Sequence, residues 1–259
     1  MKNLTIGDFL ENEEIIKLID FTLLKHEKKD DELEKFLLKA KKFRPKAICI
    51  FPEDIPNAKE ILGSSIPIAA VVGGFPKGSS NCEEIVKEIR TAIELGADEI
   101  DIVLEPREED DYPNELELEK LVAMREASEG KILKVIIETP LLTERKVRAV
   151  TRMSLAVGVD FVKTCTGKRG ECKENDADIL SYELMRHELT FGECLGMKIS
   201  GGISDKVKLM RFIELIRKND SEIINGKRLR VGSSSLIENL ITIESVSYTH
   251  LTLPTILLV

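Results

Sequence analysis

The sequence predicts a closed (β/α)8 barrel, a TIM barrel, as a single domain. Three observations predict it. Eight short apolar, β-branched segments recur along the chain, each bounded by Gly, Pro or polar residues. Helical patterns separate them, and alternating strand and helix builds a parallel sheet with helices outside it. The chain has 259 residues, close to the roughly 250 at which such barrels form one domain. An open doubly wound sheet is the alternative. A dinucleotide-binding version would carry Gly-x-Gly-x-x-Gly after its first strand, and residues 21–30 contain no glycine.

The first strand is expected at Lys17–Thr22. The helix Asp31–Lys42 follows, with Leu33, Phe36, Leu37 and Ala40 on one face at spacings of three and four. Ala47–Phe51 and Ile68–Val72 read as the next two strands. Cys82–Leu95 gathers Ile85, Ile89, Ala92 and Ile93 on one helical face, and Gly96 is placed to stop it. Strand Glu99–Leu104 and helix Leu116–Ala127 come next, then strand Leu133–Thr139. Helix Glu144–Val157 is closed by Gly158 and leads into strand Phe161–Thr164. Helix Asp176–Glu188, strand Gly196–Ser200, helix Asp205–Lys218 and strand Leu229–Gly232 complete the series.

Composition narrows the function. Hydrophobic residues are 42% and charged residues 32% of the chain, a globular rather than a disordered balance. Lys and Arg number 38 against 46 Asp and Glu, for a net charge of −8. Nucleic acid and anionic membranes are therefore poor candidate partners. The cysteines at 49, 82, 165, 172 and 194 form no Cys-x-x-Cys pair. Reduced thiols in a cytoplasmic protein are expected. Met1 to Glu14 holds four acids and no apolar run, unlike a signal peptide. The acidic stretch 105–119 reads as a solvated loop and first helical turn. Ser245–Val259 has no charged residue and neither helical nor strand periodicity. It reads as cloning or adapter read-through, which sets the barrel at 1–244 and a non-native tail at 245–259. An apolar tail that docks on a neighbouring subunit is the alternative.

Function in such a barrel sits at the C-terminal strand ends. Lys163 and Lys198 lie on adjacent strands, and Asp101 lies two strands away. If both lysines point inward, mutual repulsion and desolvation depress a lysine pKa. A partly neutral lysine attacks a carbonyl to form a Schiff base. Asp101 would offset charge and move protons. Two plainer readings stay open: surface strand ends, or a buried Lys198–Asp101 ion pair. Gly201 and Gly202 follow the seventh strand, and Gly232 to Ser235 follow the eighth. Those loops are the usual phosphate site of a barrel. Ser234 and Ser235 would add donors, cap the next helix, or both. Thr166-Gly167-Lys168 would extend that site or form an ordinary turn. Gly73-Gly74-Phe75-Pro76 reads as a tight turn. Cys49, Cys165 and Cys172 read as small buried hydrophobes. His26 and His187 are the only histidines outside the tail. A histidine metal site or a Ser-His-Asp triad has little to draw on, and metal-free lysine chemistry fits better.

These residues resemble the deoxyribose-phosphate aldolases, class I aldolases on a (β/α)8 barrel. The matching stretches are Ile-Asp-Phe-Thr-Leu-Leu-Lys at 19–25, Ala-Ile-Cys-Ile-Phe-Pro at 47–52 and Gly-Phe-Pro-Lys-Gly at 74–78. They continue at 96–103, 133–139, 160–167, 198–203 and 232–235. The resemblance implies Lys163 as the Schiff-base lysine, Lys198 as the second lysine that lowers its pKa, and Asp101 in a proton relay with Lys198. It implies a pocket lined by Asp20, Thr22, Cys49 and Lys134. It implies a phosphate-binding set of Thr166, Gly167, Gly201, Gly202, Gly232, Ser234 and Ser235. The implied reaction is reversible cleavage of 2-deoxy-D-ribose 5-phosphate to D-glyceraldehyde 3-phosphate and acetaldehyde. No metal and no cofactor is implied. The partners are small phosphosugars and aldehydes, and a homodimer through outer helices is compatible. Two alternatives stay open: a Schiff-base aldolase for another aldehyde, and a non-catalytic phosphosugar-binding barrel.

Overall fold

Eight parallel strands close on themselves in the computed structural model, which describes residues 10–241. The strands are β1 (Ile19–Thr22), β2 (Ala47–Ile50), β3 (Ile68–Val72), β4 (Glu99–Val103), β5 (Ile132–Ile136), β6 (Phe161–Lys163), β7 (Gly196–Ser200) and β8 (Leu229–Ser233). They neighbour one another in sequence order, and β8 pairs with β1 through Ile19 and Val231. The helices are α1 (Asn12–Ile16), α2 (Glu32–Phe43), α3 (Ile55–Leu62), α4 (Cys82–Leu95), α5 (Glu115–Ala127), α6 (Glu144–Ala156), α7 (Glu174–Phe191) and α8 (Lys206–Asn219). Residues 236–241 are also helical. The expected boundary at 244 and the tail 245–259 lie outside the described residues. Among the described residues no helix is long and apolar enough to cross a membrane.

Local chemistry sets the helix ends. The Asn81 side chain accepts the Glu83 and Glu84 amides at the start of α4, and Gly96 ends it in the left-handed conformation. Thr143 and Asp205 cap α6 and α8 in the same way. Gly73-Gly74-Phe75-Pro76 is the expected turn, with the Lys77 amide donating to the Gly74 carbonyl at 3.0 Å.

Three expectations need correction. No helix was expected between β2 and β3, yet α3 forms there. It is only eight residues long and Pro56 lies within its first turn, so its apolar face of Ile55, Ala58 and Leu62 is too short to stand out from sequence. The short α1 before β1 was also not expected. Strand β5 stops at Ile136 rather than Thr139. Glu138 is left-handed (φ 55°, ψ 57°), and Thr139–Leu141 is a 3-10 turn led by Pro140.

Most apolar side chains pack between the barrel and its helices. A smaller cluster of Leu24, Cys49, Phe51, Ala69 and Val71, with Phe75 against it, belongs to the β1–β3 side. The remaining interior is charged. Lys134, Lys198, Asp20 and Asp101 are wholly buried, and Arg230, Glu99 and Lys163 nearly so.

Candidate active site

Parallel register brings the charged residues together. Asp101 on β4 is the partner of Lys134 on β5. Lys163 on β6 stands beside Lys198 on β7, which stands beside Arg230 on β8. Asp101 Oδ2 accepts from Lys163 Nζ at 2.8 Å and from Lys198 Nζ at 2.7 Å, while Asp101 Oδ1 accepts from Lys134 Nζ at 2.8 Å. Asp20 Oδ2 lies 2.6 Å from Lys198 Nζ and 3.2 Å from Lys134 Nζ. Glu99 meets Lys134 at 2.5 Å and Arg230 at 2.8 Å, and Arg230 also donates to Asp20 Oδ1 at 2.6 Å. Four cations thus face three carboxylates, and the fully ionised cluster holds one excess positive charge.

The cluster fixes most of its charge states. Burial opposes charge on Lys198, but the Asp101 and Asp20 carboxylates outweigh it and hold its pKa above the usual lysine value. Burial opposes charge on Lys134 too, and Asp101, Asp20 and Glu99 outweigh it. Mutual repulsion therefore does not depress Lys198: Asp101 and Asp20 lie 2.7 and 2.6 Å from its nitrogen and favour the charged form. The ion-pair reading of Lys198 and Asp101 is thereby met. Burial also opposes ionisation of Asp101 and Asp20, yet the surrounding cations hold both well below the carboxylate range. Burial pushes the Cys49 thiol up, and the Cys165 thiol up to about 11. Cys49, Cys165 and Cys172 are the expected buried thiols.

A cleft of about 260 Å³ opens above this cluster. Of the expected residues, Lys163, Thr22, Thr166, Gly167, Gly201, Gly202, Gly232, Ser234 and Ser235 line it. Asp101, Lys198, Lys134, Asp20 and Cys49 are wholly buried and are not among its lining residues. Lys163 is 3% exposed and joins the two levels. The glycines are needed for close approach. Gly201 has φ 93°, and a Cβ there would lie 2.6 Å from Cys165 Sγ. A Cβ at Gly232 would lie 2.9 Å from Ser200 Cβ and 3.2 Å from Lys198 Cε. Among the described residues, the amides of Gly167, Gly202 and Ser234 make no backbone hydrogen bond outside helices and strands.

The cap of the last helix is Ser233, not Ser234 or Ser235. Its Oγ accepts the Leu236 amide at 3.1 Å and donates to the Ile203 carbonyl at 2.7 Å. Ser234 is exposed and Ser235 half-buried, because the β8 register turns Ser233 toward the protein. Glu99 and Arg230 were also passed over. The strand period of two places Glu99 with Asp101 and Arg230 with Gly232, so a signal for both was present.

Fold and site together define a class, an aldolase built on a (β/α)8 barrel. Residues 14–218 match the model of the DeoC/LacD family aldolases, and the chain belongs to that family. It is 38% identical to the deoxyribose-phosphate aldolase of Mycoplasmopsis pulmonis, over 78% of this chain and 89% of that one. It is 40% identical to that of Clostridium botulinum (strain Langeland), over 76% of this chain and 91% of that one. The tetrameric deoxyribose phosphate aldolase of Aeropyrum pernix shares its fold, with a TM-score of 0.73 at 22% identity over 91% of this chain and 93% of that one.

Proposed function

We propose that the protein catalyses reversible cleavage of 2-deoxy-D-ribose 5-phosphate to D-glyceraldehyde 3-phosphate and acetaldehyde, through a Schiff base on Lys163. One observation carries this reading. Lys163 lines the cleft, and its Nζ shares an Asp101 oxygen with Lys198 Nζ. Attack requires the amine form. Taking the proton from Lys163 gives up one ion pair, from Lys198 two and from Lys134 three. It also leaves the cluster with equal numbers of positive and negative groups.

The Lys163 amine adds to C1 of the open-chain sugar, and loss of water leaves an iminium. The iminium restores the positive charge beside Asp101. It draws the electrons of the C2–C3 bond, which breaks to an enamine as the C3 hydroxyl gives up its proton and becomes the aldehyde of glyceraldehyde 3-phosphate. Cleavage at C2–C3 leaves C1 and C2 as acetaldehyde and C3 to C5 as glyceraldehyde 3-phosphate. Protonation of the enamine at C2 and addition of water release acetaldehyde. Positioned proton transfer is worth about 10²–10⁴-fold, and this scheme assigns it to the Asp101–Lys198 pair, whose shared bond to Lys163 supports the reading. The covalent iminium is itself the electron sink, so no cofactor is required in this scheme. The amides of Gly202 and Ser234, with the Gly167 loop beside them, take the phosphate, as strand-exit loops do in barrels, and anchor the sugar away from its reacting carbons. Asp20, Thr22, Cys49 and Lys134 shape and support the reacting end. The acidic charge and reduced thiols suit a cytoplasmic enzyme that works on small phosphosugars and aldehydes.

Borohydride trapping tests this. The protein is incubated with acetaldehyde or deoxyribose 5-phosphate, reduced, digested and analysed by mass spectrometry. A stable adduct on Lys163 that is lost in Lys163→Ala is the expected result. Binding of the sugar phosphate by folded protein without any adduct would overturn the mechanism and leave a phosphosugar-binding barrel.

A further inference from the structure

Glu138 is wholly buried yet stands outside the charged cluster. Among the described residues no cation forms a salt bridge with it, and its Oε2 has no hydrogen-bond partner. Its backbone is left-handed at φ 55° and ψ 57°, a conformation that costs a non-glycine residue about 1 kcal/mol. Burial, left-handed strain and an unpaired oxygen at one residue call for a compensating role.

The neighbouring contacts indicate that role. The chain on both sides of Glu138 is tied to β6 and its exit: the Ile137 amide donates to the Lys163 carbonyl at 3.0 Å, and the Thr139 amide to the Thr164 carbonyl at 2.8 Å. The left-handed turn between these two bonds lets the Glu138 side chain reach the loop after β6. There Oε1 accepts the Thr166 amide at 3.2 Å. Thr166 Oγ1 in turn accepts the Lys168 amide at 3.1 Å, and Lys168 Nζ donates to the Leu24 carbonyl at 2.9 Å across the rim of the cleft. Gly167, between these anchors, packs on Gly201: a Cβ on Gly167 would lie 3.3 Å from the Gly201 Cα. One carboxylate therefore sets where the Thr166–Lys168 loop stands relative to the loop after β7.

We propose that Glu138 is a positioning residue for phosphate recognition, which holds the Thr166–Lys168 loop so that Gly167 faces the phosphate of the sugar. This rests on the aldolase reading above. Glu138 makes no hydrogen bond or salt bridge to Lys163 and acts on it only through space, so its loss weakens use of the phosphate far more than the chemistry at Lys163.

The test uses Glu138→Gly and Glu138→Gln. Glycine removes the anchor and relieves the left-handed strain. Glutamine keeps an acceptor oxygen of the same reach. Each is assayed on 2-deoxyribose 5-phosphate and on unphosphorylated 2-deoxyribose, and each is trapped with acetaldehyde and borohydride. For Glu138→Gly, KM for the phosphorylated sugar rises about tenfold, the scale of one lost hydrogen bond to a charged group. Its kcat/KM for the unphosphorylated sugar and its Lys163 adduct stay within about twofold of wild type. Glu138→Gln stays close to wild type on both sugars. Equal losses on both sugars, no loss on either, or Glu138→Gln matching Glu138→Gly would overturn the inference. If circular dichroism shows Glu138→Gly unfolded, Glu138→Asp, one carbon short of the loop, is assayed instead and the same ratio decides. Wild-type protein that neither cleaves the sugar phosphate nor traps acetaldehyde overturns the aldolase reading, and this inference with it.

Discussion

Lys163 and Lys198 stand side by side on β6 and β7 and donate to the same oxygen, Oδ2 of Asp101. The two ammonium groups are held together by the carboxylate between them. They differ in what else they touch. Lys198 also meets Asp20 and is wholly buried, whereas Lys163 reaches the cleft.

That difference separates the effects of replacing them. Lys163→Ala abolishes the trapped adduct and lowers kcat by about 10⁴-fold or more. It gives up one ion pair, so the fold tolerates it. Lys198→Met keeps Lys163 but removes the partner of the proton relay, and kcat falls by about 10²–10⁴-fold. It also leaves Asp20 and Asp101 each short of a cation, at a cost of about 3–5 kcal/mol in unfolding free energy. Steady-state kinetics beside urea unfolding checks both. Greater loss of stability in Lys163→Ala than in Lys198→Met would contradict the geometry.

Asp101 sets the pH limits of the fold. Burial alone would raise its folded-state pKa, but Lys134, Lys163 and Lys198 outweigh that and depress it. A depressed carboxylate contributes stability above its unfolded pKa of about 3.9, and that contribution disappears as pH falls toward the folded value. The unfolding free energies of wild type and Asp101→Asn therefore differ by about 3–5 kcal/mol at pH 7, and the gap narrows below about pH 4. Lys134 and Lys198 have raised pKa values. Their contribution is complete below about pH 10.4 and is lost at higher pH. A gap that widens on acidification would refute this assignment.

Arg230 and Glu99 form the deep end of the cluster. Arg230→Met leaves Asp20 and Glu99 buried with one cation fewer and costs about 3–5 kcal/mol. Adding Glu99→Gln restores part of the balance, so the double variant is less destabilised than the two single losses added together. Chemical unfolding of the four proteins gives the coupling, expected at about 1–3 kcal/mol. Simple additivity would mean that the two side chains are not energetically linked.

The cleft floor is sensitive to a single methyl group. In Gly232→Ala the new Cβ presses on Ser200 Cβ and Lys198 Cε. Gly232 does not have a positive φ, so the effect is steric. Activity falls about tenfold, the scale of a displaced catalytic group, while unfolding free energy changes by at most about 1–3 kcal/mol. Gly201→Ala combines a 2.6 Å approach to Cys165 Sγ with a left-handed φ and loses more stability. Unaltered turnover in Gly232→Ala would show that Lys198 has room to move.

The barrel and the pair of inward lysines, Lys163 and Lys198, are legible in the linear chain. Strand and helix periods are local properties, and a lysine inside an apolar β-branched run is conspicuous wherever it lies. Helix α3 was not legible, because eight residues with a proline in the first turn carry too little periodicity. Glu99 and Arg230 were legible in principle, since a period of two puts them on the faces of Asp101 and Gly232. What only the tertiary structure decided is who stands next to whom. Lys198 is held charged because Asp20 from β1 and Asp101 from β4 both lie within 3 Å of its nitrogen. Ser233 rather than its neighbours caps the last helix because the β8 register turns it inward, and Glu138 reaches the loop after β6 only through a left-handed turn. Periodicity is written in neighbouring residues. Charge state and loop placement are sums over side chains that barrel closure brings together from distant parts of the chain.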